Sequence, residues 1–134
     1  MPLYSAVPSF IIIDDEDADR YFIKRMLKKF GSSIILEASS GEDAQDILRE
    51  RECDIAIIDL RIDRPGMNKM DGVDLHDWIK NHNIKNNTNT RSIGITSILG
   101  GDLLDKARRH GFTNILPKPT EEAAFLDAVV DQWD

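Results

Sequence analysis

The 134-residue sequence is poor in several things, and each shortage excludes a class of protein. It has one cysteine, Cys53, so an intrachain disulfide is impossible and a cytosolic setting fits best. It has no long apolar run. The stretch from Ser9 to Ile13 is too short to cross a membrane, and no basic flank precedes it as a secretion signal requires. Basic residues are outnumbered 17 to 24, and the net charge of −7 argues against binding along a phosphate backbone. Internal repeats and linker-like segments are absent. Asn86-Asn87-Thr88 matches a glycosylation sequon, but without an export signal it reads as chance.

The 41% of residues that are hydrophobic suffice for one core, and the length leaves no room for a second. A single domain is therefore expected over residues 1–134, with its core at about 9–133. Short β-branched runs fall at Phe10–Asp14, Ser33–Leu36, Asp54–Asp59, Ser92–Thr96 and Phe112–Leu116. Between them the apolar residues take helical spacing. Ala18, Phe22, Met26 and Phe30 form a stripe widened by Ile23 and Leu27, and Ala44, Ile47 and Leu48 form a second. Leu75, Trp78 and Ile79 make a third face, and Leu103, Leu104 and Ala107 a fourth. The last face comprises Phe125, Leu126, Val129, Val130 and Trp133. Gly31 and Gly111 stand where helix C-termini call for a left-handed residue. Asn81 to Thr90 is polar and aperiodic and reads as a surface loop.

Strands and helices thus alternate as (βα)5. Ile11–Ile13 and Ile55–Ile58 are continuous apolar runs, the mark of strands buried on both faces of a parallel sheet. Right-handed crossovers favour an α/β, doubly wound arrangement. In such sheets ligands bind beyond the carboxyl ends of strands, where the strand order reverses. If the order is 2-1-3-4-5, Asp14 and Asp15 after the first strand converge with Asp59 after the third. Clustered carboxylates repel unless a cation neutralises them, and oxygen ligands with room for water suit Mg²⁺. Thr96 ends the fourth strand and Lys118 follows the fifth, so a hydroxyl and an ammonium reach the same edge. Carboxylate nucleophile, metal, hydroxyl and cation are the parts of a phosphoryl-transfer site.

The acidic pair, Asp59, the Met70-Asp71-Gly72 triplet, Thr96 and Lys118-Pro119 occur in order, and with them the chain resembles a response-regulator receiver domain from Phe10 to Trp133. That family includes the chemotaxis regulators and serves two-component signalling. The resemblance implies a flavodoxin-like five-stranded sheet and a phosphoryl group accepted on Asp59 from a histidine kinase or histidine phosphotransfer protein. It implies Mg²⁺ ligated by Asp15 and Asp59, with Asp14 acting through water and the backbone carbonyl of Arg61 completing the set. Lys118 would pair with the acceptor and then with the phosphoryl group, Thr96 would swing toward that group, and the Lys118-Pro119 bond would be cis. A cytoplasmic, stand-alone receiver is expected, since no output domain follows Asp134. It would assist its own phosphorylation without being an enzyme, signal to a downstream protein, and neither contact nucleic acid directly nor enter a membrane.

Three features depart from the family. Asp59 and Gly72 are 13 residues apart, several more than usual, so the segment from Ile62 to Lys69 is extended by residues including Arg64, Pro65 and Gly66. This loop can shape access to the site or be a tolerated insertion. Arg61 stands where a side chain borders the path of hydrolytic water; it can pair with a phosphoryl group or point to solvent. Ile115 replaces the aromatic residue that in many relatives moves with the Thr. Two other readings compete. A flavodoxin-like cofactor protein would want a phosphate loop where Asp14–Asp19 runs D-D-E-D-A-D. An aspartyl phosphohydrolase would want a second Asp where Arg61 stands.

Overall fold

The computed structural model describes residues 7–31, 34–62, 70–97 and 100–133. Five strands alternate with five helices: β1 (Phe10–Ile13), α1 (Asp17–Lys29), β2 (Ile35–Ala38), α2 (Gly41–Glu50), β3 (Ile55–Asp59), α3 (Gly72–Asn86), β4 (Arg91–Thr96), α4 (Asp102–Arg109), β5 (Ile115–Pro117) and α5 (Glu122–Trp133). The sheet is parallel throughout, as the continuous apolar runs led us to expect, and its order is β2-β1-β3-β4-β5, the one the family resemblance implies.

Every residue of β1 and β3 is buried, which accounts for their continuous apolar runs. Alternation along the strands divides the core in two. Ile11, Ile13, Ala56 and Ile58 join Ala44, Leu48, Leu75, Ile79 and Ala107 on the side of α2, α3 and α4. Phe10, Ile12, Ile55, Ile57, Ile93 and Ile95 join Ile23, Met26, Leu27, Phe125 and Val129 on the side of α1 and α5. Ile13 lies opposite Ile58. Asp14 and Asp59, each one residue further on, therefore leave the sheet side by side.

Helix ends follow local chemistry. Ser40 caps α2 by accepting from the Asp43 N–H, and Asp71 and Asp74 form a reciprocal capping box on α3. Gly31 and Gly111 have positive φ just past the ends of α1 and α4.

Some boundaries and faces differ from expectation. On α1, Ala18 is exposed and Phe22 is 52% exposed; Ile23, Met26 and Leu27 are the buried residues. Residues spaced strictly by four drift around a helix of 3.6 residues per turn, so Ala18 and Phe22 leave the core face while Phe30 still packs against it. On α5, Ala128 is buried while Val130 is exposed. β2 begins later than expected, at Ile35, and Ser33 lies outside the described residues. β5 is confined to Ile115–Pro117 by its pairing with Gly94–Thr96.

The segment from Asn81 is not a loop: α3 continues to Asn86 and ends on the left-handed Asn87. Asn83 then ties the helix to the next strand. Its Oδ1 accepts from the Thr90 N–H and Thr88 hydroxyl, and its Nδ2 donates to the Thr90 carbonyl. The last turn needs no apolar stripe because it is largely exposed, and its one isoleucine, Ile84, is 83% exposed.

Candidate functional site

At the carboxyl edge of the sheet, Asp14 is 1% exposed and Asp59 7% exposed, both unusual for a carboxylate. Each is held by the turn that follows it. The Glu16 N–H donates to Asp14 Oδ1 at 3.0 Å, and the Arg61 N–H donates to Asp59 Oδ1 at 3.0 Å. Arg20, on the first turns of α1, donates to the Asp14 carbonyl at 2.6 Å. The other oxygen of each carboxylate is left to face the pocket.

Lys118 fills that position. It follows β5, its N–H donates to the Thr96 carbonyl at 2.8 Å, and the Lys118-Pro119 bond is cis. Its Nζ donates to Asp14 Oδ2 at 2.8 Å, Asp19 Oδ2 at 2.8 Å and Asp59 Oδ2 at 2.9 Å. Asp15 is half-buried beside them, and Asp14, Asp15 and Asp59 each offer an oxygen within 4.8 Å of the others.

The electrostatics follow from burial. Desolvation raises the Asp14 carboxyl to about 6, although the Lys118 and Glu16 hydrogen bonds pull it back. Burial would lower the Lys118 ammonium, but its bonds to Asp14, Asp19 and Asp59 outweigh that and hold it above its ordinary value. Among the described residues Lys118 pairs with three carboxylates, and Asp15 lies beside them. The pocket carries surplus negative charge on hard oxygen donors, which fits a small divalent cation.

Of the residues singled out from sequence, the fold brings Asp14, Asp15, Asp59 and Lys118 together. Thr96 ends β4 at the same edge, 2% exposed, one residue past the partner of Asp59 in the β3–β4 register. Arg61 lies at the rim with its residue surface exposed. Ile115 packs partly buried against the core on the α2–α4 side. The extended loop at 63–69 lies outside the described residues, although Ile62 at its start is fully buried.

Sequence reasoning missed Asp19. The available signal was its place one turn into α1, where a side chain can look back over the sheet edge. The role of Gly72 was also hidden. Its N–H donates to the Leu60 carbonyl at 2.9 Å, and a Cβ there would lie 2.5 Å from the Asp59 carbonyl oxygen. The start of α3 thus abuts the backbone that carries Asp59.

Fold and pocket define an α/β protein with a carboxylate–lysine site at the topological switch point of a 2-1-3-4-5 sheet. The family model of the response regulator receiver domain matches residues 10–130, and the chain belongs to this family of two-component signalling domains. It is 27% identical over 126 residues to the transcriptional regulatory protein PdtaR of Mycobacterium tuberculosis, covering 93% of this chain and 57% of that protein. The chain therefore spans little more than half the length of that relative. The receiver domain of the Francisella response regulator 1452 superposes with a TM-score of 0.76 at 21% identity, covering 94% of this chain and 96% of that one. Vibrio cholerae chemotaxis protein CheY4 gives 0.76 at 17% identity, covering 94% and 98%. At these identities the structural likeness shows the fold. Among the described residues, no helix is long and apolar enough to cross a membrane.

Proposed function

We propose that Asp59 accepts a phosphoryl group from a phosphohistidine on a histidine kinase or phosphotransfer protein, and that the modified domain changes its binding to a downstream protein. The observation that carries this reading is the shared bond of Lys118 to Asp14 and Asp59 beside Asp15, at the one sheet edge where four sequence-selected side chains meet.

Asp14, Asp15 and Asp59, with the backbone carbonyl of Arg61, would hold Mg²⁺. When bound, the ion would neutralise the carboxylates and the charge developing on the transferred group. Asp59 presents one oxygen that is fixed by the Arg61 N–H and one that faces Lys118. As the carboxylate oxygen bonds to phosphorus, the P–N bond breaks and its electron pair returns to the imidazole, which takes up a proton. Lys118 follows the charge from the carboxylate to a phosphoryl oxygen. Thr96, at the same edge one residue past the strand partner of Asp59, turns its hydroxyl toward the new group and alters the adjoining surface. On this reading the chain assists its own modification and turns over no separate substrate. It works in the cytoplasm with protein partners and without direct contact to nucleic acid.

The test is intact mass after incubation with acetyl phosphate and Mg²⁺. The wild type should gain one phosphoryl group, and Asp59→Asn should gain none. An undiminished adduct in Asp59→Asn would overturn the assignment.

A further inference from the structure

An ammonium has three N–H donors. In this chain all three of Lys118 are spent on carboxylates: Asp14 deep in the pocket, Asp59 at the acceptor position, and Asp19 on the outer side. Asp14 and Asp59 belong to the candidate metal cluster; Asp19 does not. It sits in the first turns of α1 with its side chain partly exposed, and among the described residues that side chain bonds to Lys118 alone. It completes no helix cap, since Glu16 holds the N-cap position, and it lines the small opening beside Phe22, Pro119 and Thr120.

We propose that Asp19 is a positioning residue that occupies one donor of Lys118 and so limits how tightly the domain grips a phosphoryl group. The proposal rests on Asp59 being the acceptor. With Asp14 and Asp19 each holding one donor, a single N–H is left to pass from Asp59 to a phosphoryl oxygen. Asp19 also offsets part of the ammonium's charge, which would otherwise attract the dianionic group. Both effects have the same sign. Removing Asp19 frees a second donor and unmasks charge, so the grip tightens.

The experiment uses beryllium fluoride with Mg²⁺, a non-covalent phosphoryl mimic, followed by the ¹⁹F resonance of the bound species. Asp19→Ala should bind the mimic about three- to fivefold more tightly than the wild type, the scale set by one partly exposed ion pair. Asp17→Asn removes the same charge from the same helical turn, but Asp17 is bonded to Arg20 and not to Lys118. It should stay within about twofold of the wild type. In ¹⁵N-lysine-labelled protein the Lys118 Nζ protons should exchange with water faster in Asp19→Ala than in Asp17→Asn, which carries the same change of charge. Equal or weaker binding in Asp19→Ala, or the same gain in Asp17→Asn, overturns the role of Asp19 and leaves Asp59 standing. If the wild type binds no mimic, or Asp59→Asn binds it undiminished, the acceptor assignment itself falls and the role of Asp19 falls with it.

Discussion

Asp14 and His76 are both buried titratable side chains, and burial pushes each toward its neutral form. For His76, on α3, desolvation is the main cause that lowers its pKa, helped by the positive charge of Lys80 and opposed by Asp77. Its ring stacks on Phe112 with centroids 4.2 Å apart, and among the described residues neither ring nitrogen meets hydrogen-bond geometry with a partner. The charged groups around it are Lys80 and Asp77 on its own helix and His110 after α4, whose Nδ1 meets Asp77 at 2.6 Å. The sign follows from proton uptake. Below the ordinary histidine value of about 6.5 the unfolded chain protonates this site and the folded chain resists, so folding stability falls as the pH drops. His76→Phe keeps a ring against Phe112 and removes the proton site. Urea midpoints at pH 7.5 and 5.5 should therefore fall less in the variant than in the wild type, by at most about 1.4 kcal/mol per pH unit. Contributions common to both proteins, Asp14 included, cancel in this difference. An identical pH dependence would mean that His76 titrates in the fold as it does in the unfolded chain.

At the scale of elements, the junction of β3 with α3 decides where Asp59 sits. A Cβ at Gly72 would lie 2.5 Å from the Asp59 carbonyl oxygen, 2.7 Å from Leu60 Cα and 2.9 Å from Ile58 Cγ2. Two of these are backbone atoms that cannot swing aside. In an open helix Gly→Ala stabilises by about 1 kcal/mol, but here overpacking costs about 1–3 kcal/mol and wins. Gly72→Ala should lower the urea midpoint, and by pushing the β3 terminus it should slow phosphorylation more than the lost stability explains. A stability equal to or above the wild type would show that α3 can retreat freely. That retreat is opposed by α4, because Lys106 donates to Asp71 at 2.9 Å and to Asp74 at 3.0 Å, the two residues of the α3 capping box. At the other end of the same helix pair, Lys80 donates to the His110 carbonyl at 2.8 Å. Elsewhere, Arg91 at the start of β4 donates to the Gln132 and Trp133 carbonyls, giving α5 the C-terminal cation its own last turn lacks.

For the whole molecule, the carboxylate pocket should link stability to divalent cation. The fold holds Asp14, Asp19 and Asp59 around the Lys118 ammonium with Asp15 beside them, so any cation that binds there in the folded state alone raises its melting temperature. At one hundred times its Kd, Mg²⁺ should stabilise the wild type by about 2.7 kcal/mol, and a thermal scan should show a rise of several degrees. Asp15→Ala should fold but lose most of that rise. Equal stabilisation of wild type and Asp15→Ala would remove Asp15 from the site.

Alternating strand and helix periodicities, with two continuous isoleucine-rich runs, were enough to read a (βα)5 parallel sheet from the sequence, while the strand order entered as a condition that the family resemblance supplied. That works because strands buried on both faces must be apolar at every position, a local requirement written residue by residue. The acidic strand ends, Thr96 and Lys118 were legible for a related reason: in a doubly wound sheet, chain position at a strand's carboxyl end already implies spatial convergence. What escaped was set by packing between distant segments. The true face of α1 depended on which residues the sheet and α5 cover, so Phe22 stood in the apolar stripe yet lies exposed. The last turn of α3 forms over polar residues because Asn83 and the left-handed Asn87 complete it, which no apolar period announces. Asp19 becomes part of the pocket only when β5 delivers Lys118 across 99 residues of chain, and Gly72 is indispensable only once α3 lies against β3. Local patterns record what each residue needs from its own element; which partner satisfies that need is decided when the elements meet.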